Sequence, residues 1–104
     1  MTTALSPARA LDRLMELAPE IREGVLLGRG GRRLAGAAVL AGPAKELLAA
    51  TDAPEIEVAS PRGTVFASCS GELAFVVVTE RSALPAVMLY DIRAVLAQTA
   101  GGDG

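Results

Sequence analysis

The stretch Leu73–Thr79, reading LAFVVVT, constrains this chain more than any other segment. In an extended strand Leu73, Phe75 and Val77 point to one side while Ala74, Val76 and Val78 point to the other, so both sides need cover. A strand apolar on both sides belongs in the middle of a sheet. The chain has 104 residues, enough for one domain with one core. Cover must therefore come from helices on both faces of the sheet, or from a partner chain. The segments just before it supply further strands. Glu55-Ile56-Glu57-Val58-Ala59 alternates charged or small residues with branched apolar ones, the period-2 pattern of a half-exposed or edge strand. Ser60-Pro61-Arg62-Gly63 has Pro second and Gly fourth, as a type I turn prefers, and predicts a hairpin joining 55–59 to 64–69. Ser70-Gly71 predicts the next turn, into 73–79.

The first half carries a helix and a second hairpin. Ser6-Pro7 has the form of an N-cap followed by proline at the first helical position, and Leu11, Leu14, Met15 and Ala18 share one helical face before Pro19 ends the helix. The spacing predicts an amphipathic helix over 7–18. Gly24-Val25-Leu26-Leu27-Gly28 predicts a short buried strand running into the turn Arg29-Gly30-Gly31. The run from Leu34 to Leu40 fits a buried helix as well as a strand, and the hairpin glycines favour a strand over 33–39. Gly42-Pro43 then resembles a helix start, with a short face of Ala44, Leu47 and Leu48 before Thr51-Asp52-Ala53-Pro54. Ser82 is placed to cap a final helix to about Gln98, with Pro85 in its first turn. On that helix Leu84, Val87, Met88, Leu89, Ile92, Val95 and Leu96 fill nearly half the circumference, wider than a surface helix needs.

The expected fold is α+β: a single five-stranded antiparallel sheet with helices on both faces, in the order α-β-β-α-β-β-β-α. It occupies residues 1–100, with 101–104 as a flexible tail.

What the composition omits narrows the function. There is no His and no Trp, one Cys, and three aromatic residues, Phe66, Phe75 and Tyr90. Without His the usual neutral-pH proton shuttle and the commonest metal ligand are gone, so His-based triads and zinc sites are excluded and no metal or cofactor is expected. Cys69 lacks a base to activate it and reads as a small buried residue at a strand end. Glu55 and Glu57 share a strand face, but their alternating pattern predicts solvation rather than acid–base work. Gly28-Arg29-Gly30-Gly31 lacks the Gly-Lys-Ser/Thr and the following helix of a phosphate loop, and reads as a hairpin tip. Its arginines, Arg29, Arg32 and Arg33, are candidate contacts for an acidic partner. Asp91, at the rim of the apolar stripe, must reach water or hold a polar contact that orients the last helix or a partner. A net charge of −2 carries no footprint for nucleic acid or an anionic membrane. The longest uncharged stretch, Leu34–Ala44, is too short to span a bilayer. A lone cysteine, and an N-terminus without a basic segment followed by an apolar run, predict a reducing cytoplasmic setting.

The segment Glu23-Gly24-Val25-Leu26-Leu27-Gly28-Arg29-Gly30-Gly31-Arg32-Arg33-Leu34-Ala35, taken with the element order, resembles the roadblock/dynein light chain family of the longin-like group. Members carry a short helix, a strand, a turn containing Gly, and a second strand ending in Leu-Ala. Leu84-Pro85-Ala86-Val87-Met88-Leu89-Tyr90-Asp91-Ile92-Arg93 is similar to the closing helix of bacterial members. The likeness spans roughly 7–98. Two features depart from it: Arg29 stands where the family often has Asp, and the expected middle helix is short. The resemblance implies a non-catalytic module that scaffolds or regulates small Ras-like GTPases. It also implies a homodimer formed through the middle helix and the strand after it, which by position involves Ala44, Leu47, Leu48, Ile56 and Val58. The surplus of apolar residues independently requires a partner chain over one face. The alternative from another class is a small-ligand sensory domain with a pocket between the sheet and the last helix.

Overall fold

The computed structural model describes residues 4–99; the expected tail at 101–104 lies outside them. Helix α1 spans Pro7–Leu17. The Ser6 hydroxyl accepts from the Arg9 N–H at 3.4 Å and Pro7 takes the first turn, as the sequence predicts. Ala10, Leu14 and Ala18, four apart, form the buried line. Met15, expected on that face, lies about a quarter-turn away at its edge and is exposed.

Strand β1 covers Ile21–Leu27 and β2 covers Arg33–Gly36. Between them Gly30 and Gly31 take φ of 68° and 78°, and the Gly28 N–H donates to the Arg32 carbonyl at 2.8 Å, so the glycines do form a hairpin tip. Two expectations are corrected next. The second strand stops at Gly36 instead of Val39, and helix α2 runs from Ala38 to Ala49, enclosing Gly42 and Pro43 instead of starting at them. Gly36 decides this: its φ is 98°, and a Cβ there would run into the Gly24 carbonyl oxygen of the adjoining strand. The chain turns off the sheet edge at a position open only to glycine, and the Ala-rich run that follows takes its helical option. The middle helix thus has 12 residues and is not the short one expected.

Strands β3 (Glu55–Ser60), β4 (Gly63–Ser70) and β5 (Leu73–Thr79) form two successive hairpins. Ser60 pairs with Gly63 and Ser70 with Leu73, leaving two-residue loops at Pro61-Arg62 and Gly71-Glu72. The sheet order is β2-β1-β5-β4-β3 with every neighbouring pair antiparallel. The strand apolar on both sides, β5, is central, and the alternating strand, β3, is an edge.

Helix α3 spans Pro85–Ala97. Ser82 does not cap it. Leu84 occupies the N-cap position with ψ of 120°, because the residue before a proline is driven out of the helical region, while Pro85 itself suits a first position that needs no donor.

The two faces of the sheet are covered unequally. On one, α1 and α3 bury Leu26, Phe66, Phe75 and Val77 beneath Ala10, Leu14, Met88, Ile92, Val95 and Leu96. Among the described residues the other carries α2 alone, whose Ala44 sits among Val25, Leu27, Ala67 and Val76. Helices therefore lie on both faces, as the double-sided strand requires.

Candidate functional site

The single-helix face leaves an apolar groove of about 210 Å³ between α2 and the outer strands. Leu40, Pro43, Ala44 and Leu47 line its helix side, and Val58, Val65 and Val76 line its sheet side. Val58 and Val65 are directly paired across β3 and β4. The groove opens onto β3, whose outer edge has no strand beside it among the described residues, and Val58, at 46% exposure, and Pro43 are its exposed walls.

Of the five residues assigned to an interface by position, Ala44, Leu47 and Val58 line this groove while Leu48 and Ile56 pack on the same face beyond it, and they differ in availability. Val58 is exposed and Leu47, Leu48 and Ile56 are half-buried, whereas Ala44 is 1% exposed and spent on the chain's own core. Leu40, Pro43 and Val65 were missed. For Leu40 and Pro43 the signal depends on the helix start: from Ala38, positions 40, 43 or 44, and 47 share one face, a pattern hidden when 33–39 is read as a strand.

The three candidate arginines of the β1–β2 hairpin behave differently from one another. Arg29 Nη2 lies 2.7 Å from Glu72 Oε1, tying the β1–β2 tip to the β4–β5 tip. Arg33 Nη1 donates to the Gly36 carbonyl at 3.1 Å. Among the described residues Arg32 has no such partner and stays exposed. Asp91 is half-buried on α3 and, among the described residues, makes no hydrogen bond or ion pair. The polar contact on α3 belongs to Arg93, whose Nε lies 3.3 Å from Glu55 Oε2 and ties α3 to the edge strand.

Cys69 is exposed, not buried as expected. It lies one residue from the end of β4, opposite Ala74, and faces an open depression shared with Leu27, Lys45, Leu48 and Glu72. Partial burial nevertheless pushes its thiol pKa up, so at neutral pH it stays protonated and poorly nucleophilic. Among the described residues no group of three or more His, Cys, Asp or Glu gathers to hold a metal ion, and no helix is long and apolar enough to cross a membrane.

No family model matches the sequence, and no curated protein matches it. Solved structures do. A Roadblock/LC7 domain from Streptomyces avermitilis superposes with a TM-score of 0.70 at 19% identity, over 83% of this chain and 90% of that one. The described residues adopt the roadblock/LC7 fold. An MglB in a tetrameric arrangement matches with a TM-score of 0.64 at 21% identity, over 99% of this chain and 97% of that one. The same layout extends further: LokiProfilin2, solved with rabbit actin, matches with a TM-score of 0.60 at 13% identity, over 83% and 89%. The likeness to both is one of fold.

Proposed function

We propose that the chain is a non-catalytic, homodimeric regulatory module that binds a small Ras-like GTPase or a GTPase-linked signalling protein. The observation that carries this reading is the apolar groove between α2 and β3, continuous with a strand edge that is unpaired among the described residues and left open by α2. An exposed edge of this kind is a liability to a monomer unless it is covered, and a second copy covers it with the same surface. The tetrameric MglB of the same fold is a self-associating neighbour that supports the reading. The GTPase partnership rests on the resemblance to the roadblock family, and Arg32 is the hairpin arginine most free to meet an acidic partner surface.

The sensory-domain alternative needs a pocket between the sheet and α3. Phe66, Phe75, Met88, Ile92, Val95 and Leu96 occupy that space, each at 2% exposure or less, which favours the interaction module.

Sedimentation equilibrium tests the assembly: the expected species is a dimer, and Val58→Lys, at an exposed position, gives a folded monomer with unchanged far-UV circular dichroism. A wild-type monomer at high micromolar concentration would refute the homodimer. The partner class is tested by hydrolysis and nucleotide-exchange rates of small GTPases from the same cells, with and without the chain. A change in either rate supports it, and unchanged rates for every such GTPase refute it.

A further inference from the structure

A second cleft, of about 580 Å³, lies between the β3–β4 hairpin and the start of α3. Its volume falls within the roughly 300–1,000 Å³ of small-molecule sites. Glu57, Ala59 and Thr64, which line it, alternate along their strands with Val58 and Val65 of the α2 groove, so it opens on the other face of the sheet. Nothing about it depends on the dimer.

The strand register sets its geometry. Ala59, Thr64 and Thr79 form one row across β3, β4 and β5, which makes Thr64 the floor of the cleft, with β3 on one side and the segment after β5 on the other. Thr64 is only 8% exposed. Its carbonyl accepts from the Thr79 hydroxyl at 3.3 Å, but its own hydroxyl makes no hydrogen bond among the described residues. A hydroxyl so deeply set is costly to leave without a partner, and a ligand group in the cleft supplies one.

The two sides carry opposite charges. Glu57 stands on β3 and Arg81 just past β5, both exposed. β3 and β5 are two strand spacings apart, about 10 Å. Side chains of this length can meet across such a gap, yet among the described residues neither Glu57 nor Arg81 forms an ion pair. The positive side is reinforced by α3, which begins at Pro85 on the cleft wall and has neither a capping side chain nor an acidic residue in its first turn. Ser60 is spent on its own turn, donating to the Gly63 carbonyl at 3.0 Å. The rest of the lining, Ala59, Pro61, Ala83 and Pro85, is apolar.

A simple anion is repelled by Glu57, and a simple cation by Arg81 and the end of α3. A small ligand that carries both charges, with an apolar group attached, matches every wall. We propose that this cleft binds a free α-amino acid with an apolar side chain. Its carboxylate meets Arg81 and the start of α3 and accepts from the Thr64 hydroxyl, its ammonium meets Glu57, and its side chain lies against the prolines.

Amide chemical-shift titration of the isotope-labelled chain tests this with leucine, leucinamide and N-acetylleucine as probes. Leucine is expected to shift the amides of Thr64, Arg81 and Ala83 saturably. Leucinamide lacks the carboxylate and N-acetylleucine lacks the ammonium, and each is expected to bind about tenfold more weakly or worse. Arg81→Gln abolishes the preference for leucine over leucinamide, and Glu57→Gln abolishes that over N-acetylleucine. Thr64→Val weakens leucine severalfold and leaves both preferences in place. No saturable shift with leucine up to its solubility overturns the site. Binding of either blocked probe as tightly as leucine overturns the zwitterion, and a preference that survives its own variant puts binding elsewhere and overturns the cleft.

Discussion

At the residue scale, two glycines with similarly left-handed backbones have different jobs. Gly30 has φ of 68° with open space where a Cβ would go, whereas Gly36 has φ of 98° with Gly24 backbone in that place. Gly30→Ala is expected to cost about 1 kcal/mol, the ordinary penalty of a left-handed L-residue. Gly36→Ala adds a steric clash with the β1 backbone and is expected to cost roughly 3 kcal/mol or more, read by urea denaturation of the two variants side by side. Cys69 makes a prediction of opposite character. Its raised pKa keeps the reactive thiolate scarce, so alkylation by iodoacetamide at pH 8 is expected to be slower than for an unstructured cysteine peptide. The rate should keep climbing with pH after that of the peptide has levelled off. The Arg29–Glu72 pair is well formed but exposed, and Glu72→Ala should change stability by no more than about 1 kcal/mol.

At the element scale, helix α2 is where local sequence and tertiary structure disagree. Pro43 lies in its sixth position, where the missing N–H deprives the Val39 carbonyl of its helical partner. Pro43→Ala is expected to stabilise the monomer by about 1 kcal/mol or more, the helical gain exceeding the entropy returned to the unfolded chain, as a rise in Tm would register. The strands were far more legible than this helix. The boundaries of β5 follow from its sequence, and those of β3 and β4 differ by a residue at one or both ends, because period-2 alternation and turn residues are local signals. The run 34–40 has no such signal: alanine and glycine fit either state, and the choice depended on how closely β1 approaches Gly36. The same error hid Leu40 and Pro43 from the candidate groove, and it made the middle helix look shorter than it is. At α3 the missed cap has a simpler cause, since a proline three residues after Ser82 outweighs a serine as the marker of a first helical turn.

At the scale of the whole molecule, the governing fact is the unequal cover of one sheet. Two helices close one face around Phe66 and Phe75, while one helix leaves the other with Val58 exposed and a groove beside it. The dimer proposed through that face would couple assembly to folding. The Tm is therefore expected to rise with protein concentration in the wild type and to be independent of concentration in Val58→Lys, as scanning calorimetry over a hundredfold range would measure. Exposed apolar residues on α3, Leu84, Val87 and Tyr90, belong to the opposite face. The apolar surplus of the composition thus emerges beside α2, at α3 and, with Met15 and Leu17, on α1, and the α2 side alone lines the apolar groove against Val58 described above.

The sequence by itself determined the order of the elements, the central place of Leu73–Thr79, the edge character of Glu55–Ala59 and the absence of a histidine-based centre. Each of these is written in residue identity or in a short-range period. Tertiary structure alone decided where β2 ends, that Ala44 is internal while Val58 is not, that Arg29 and Arg33 are tied down, and that Cys69 faces outward. Those outcomes depend on which surfaces meet across the fold, and contacts between residues distant in the chain leave no local period from which they can be read.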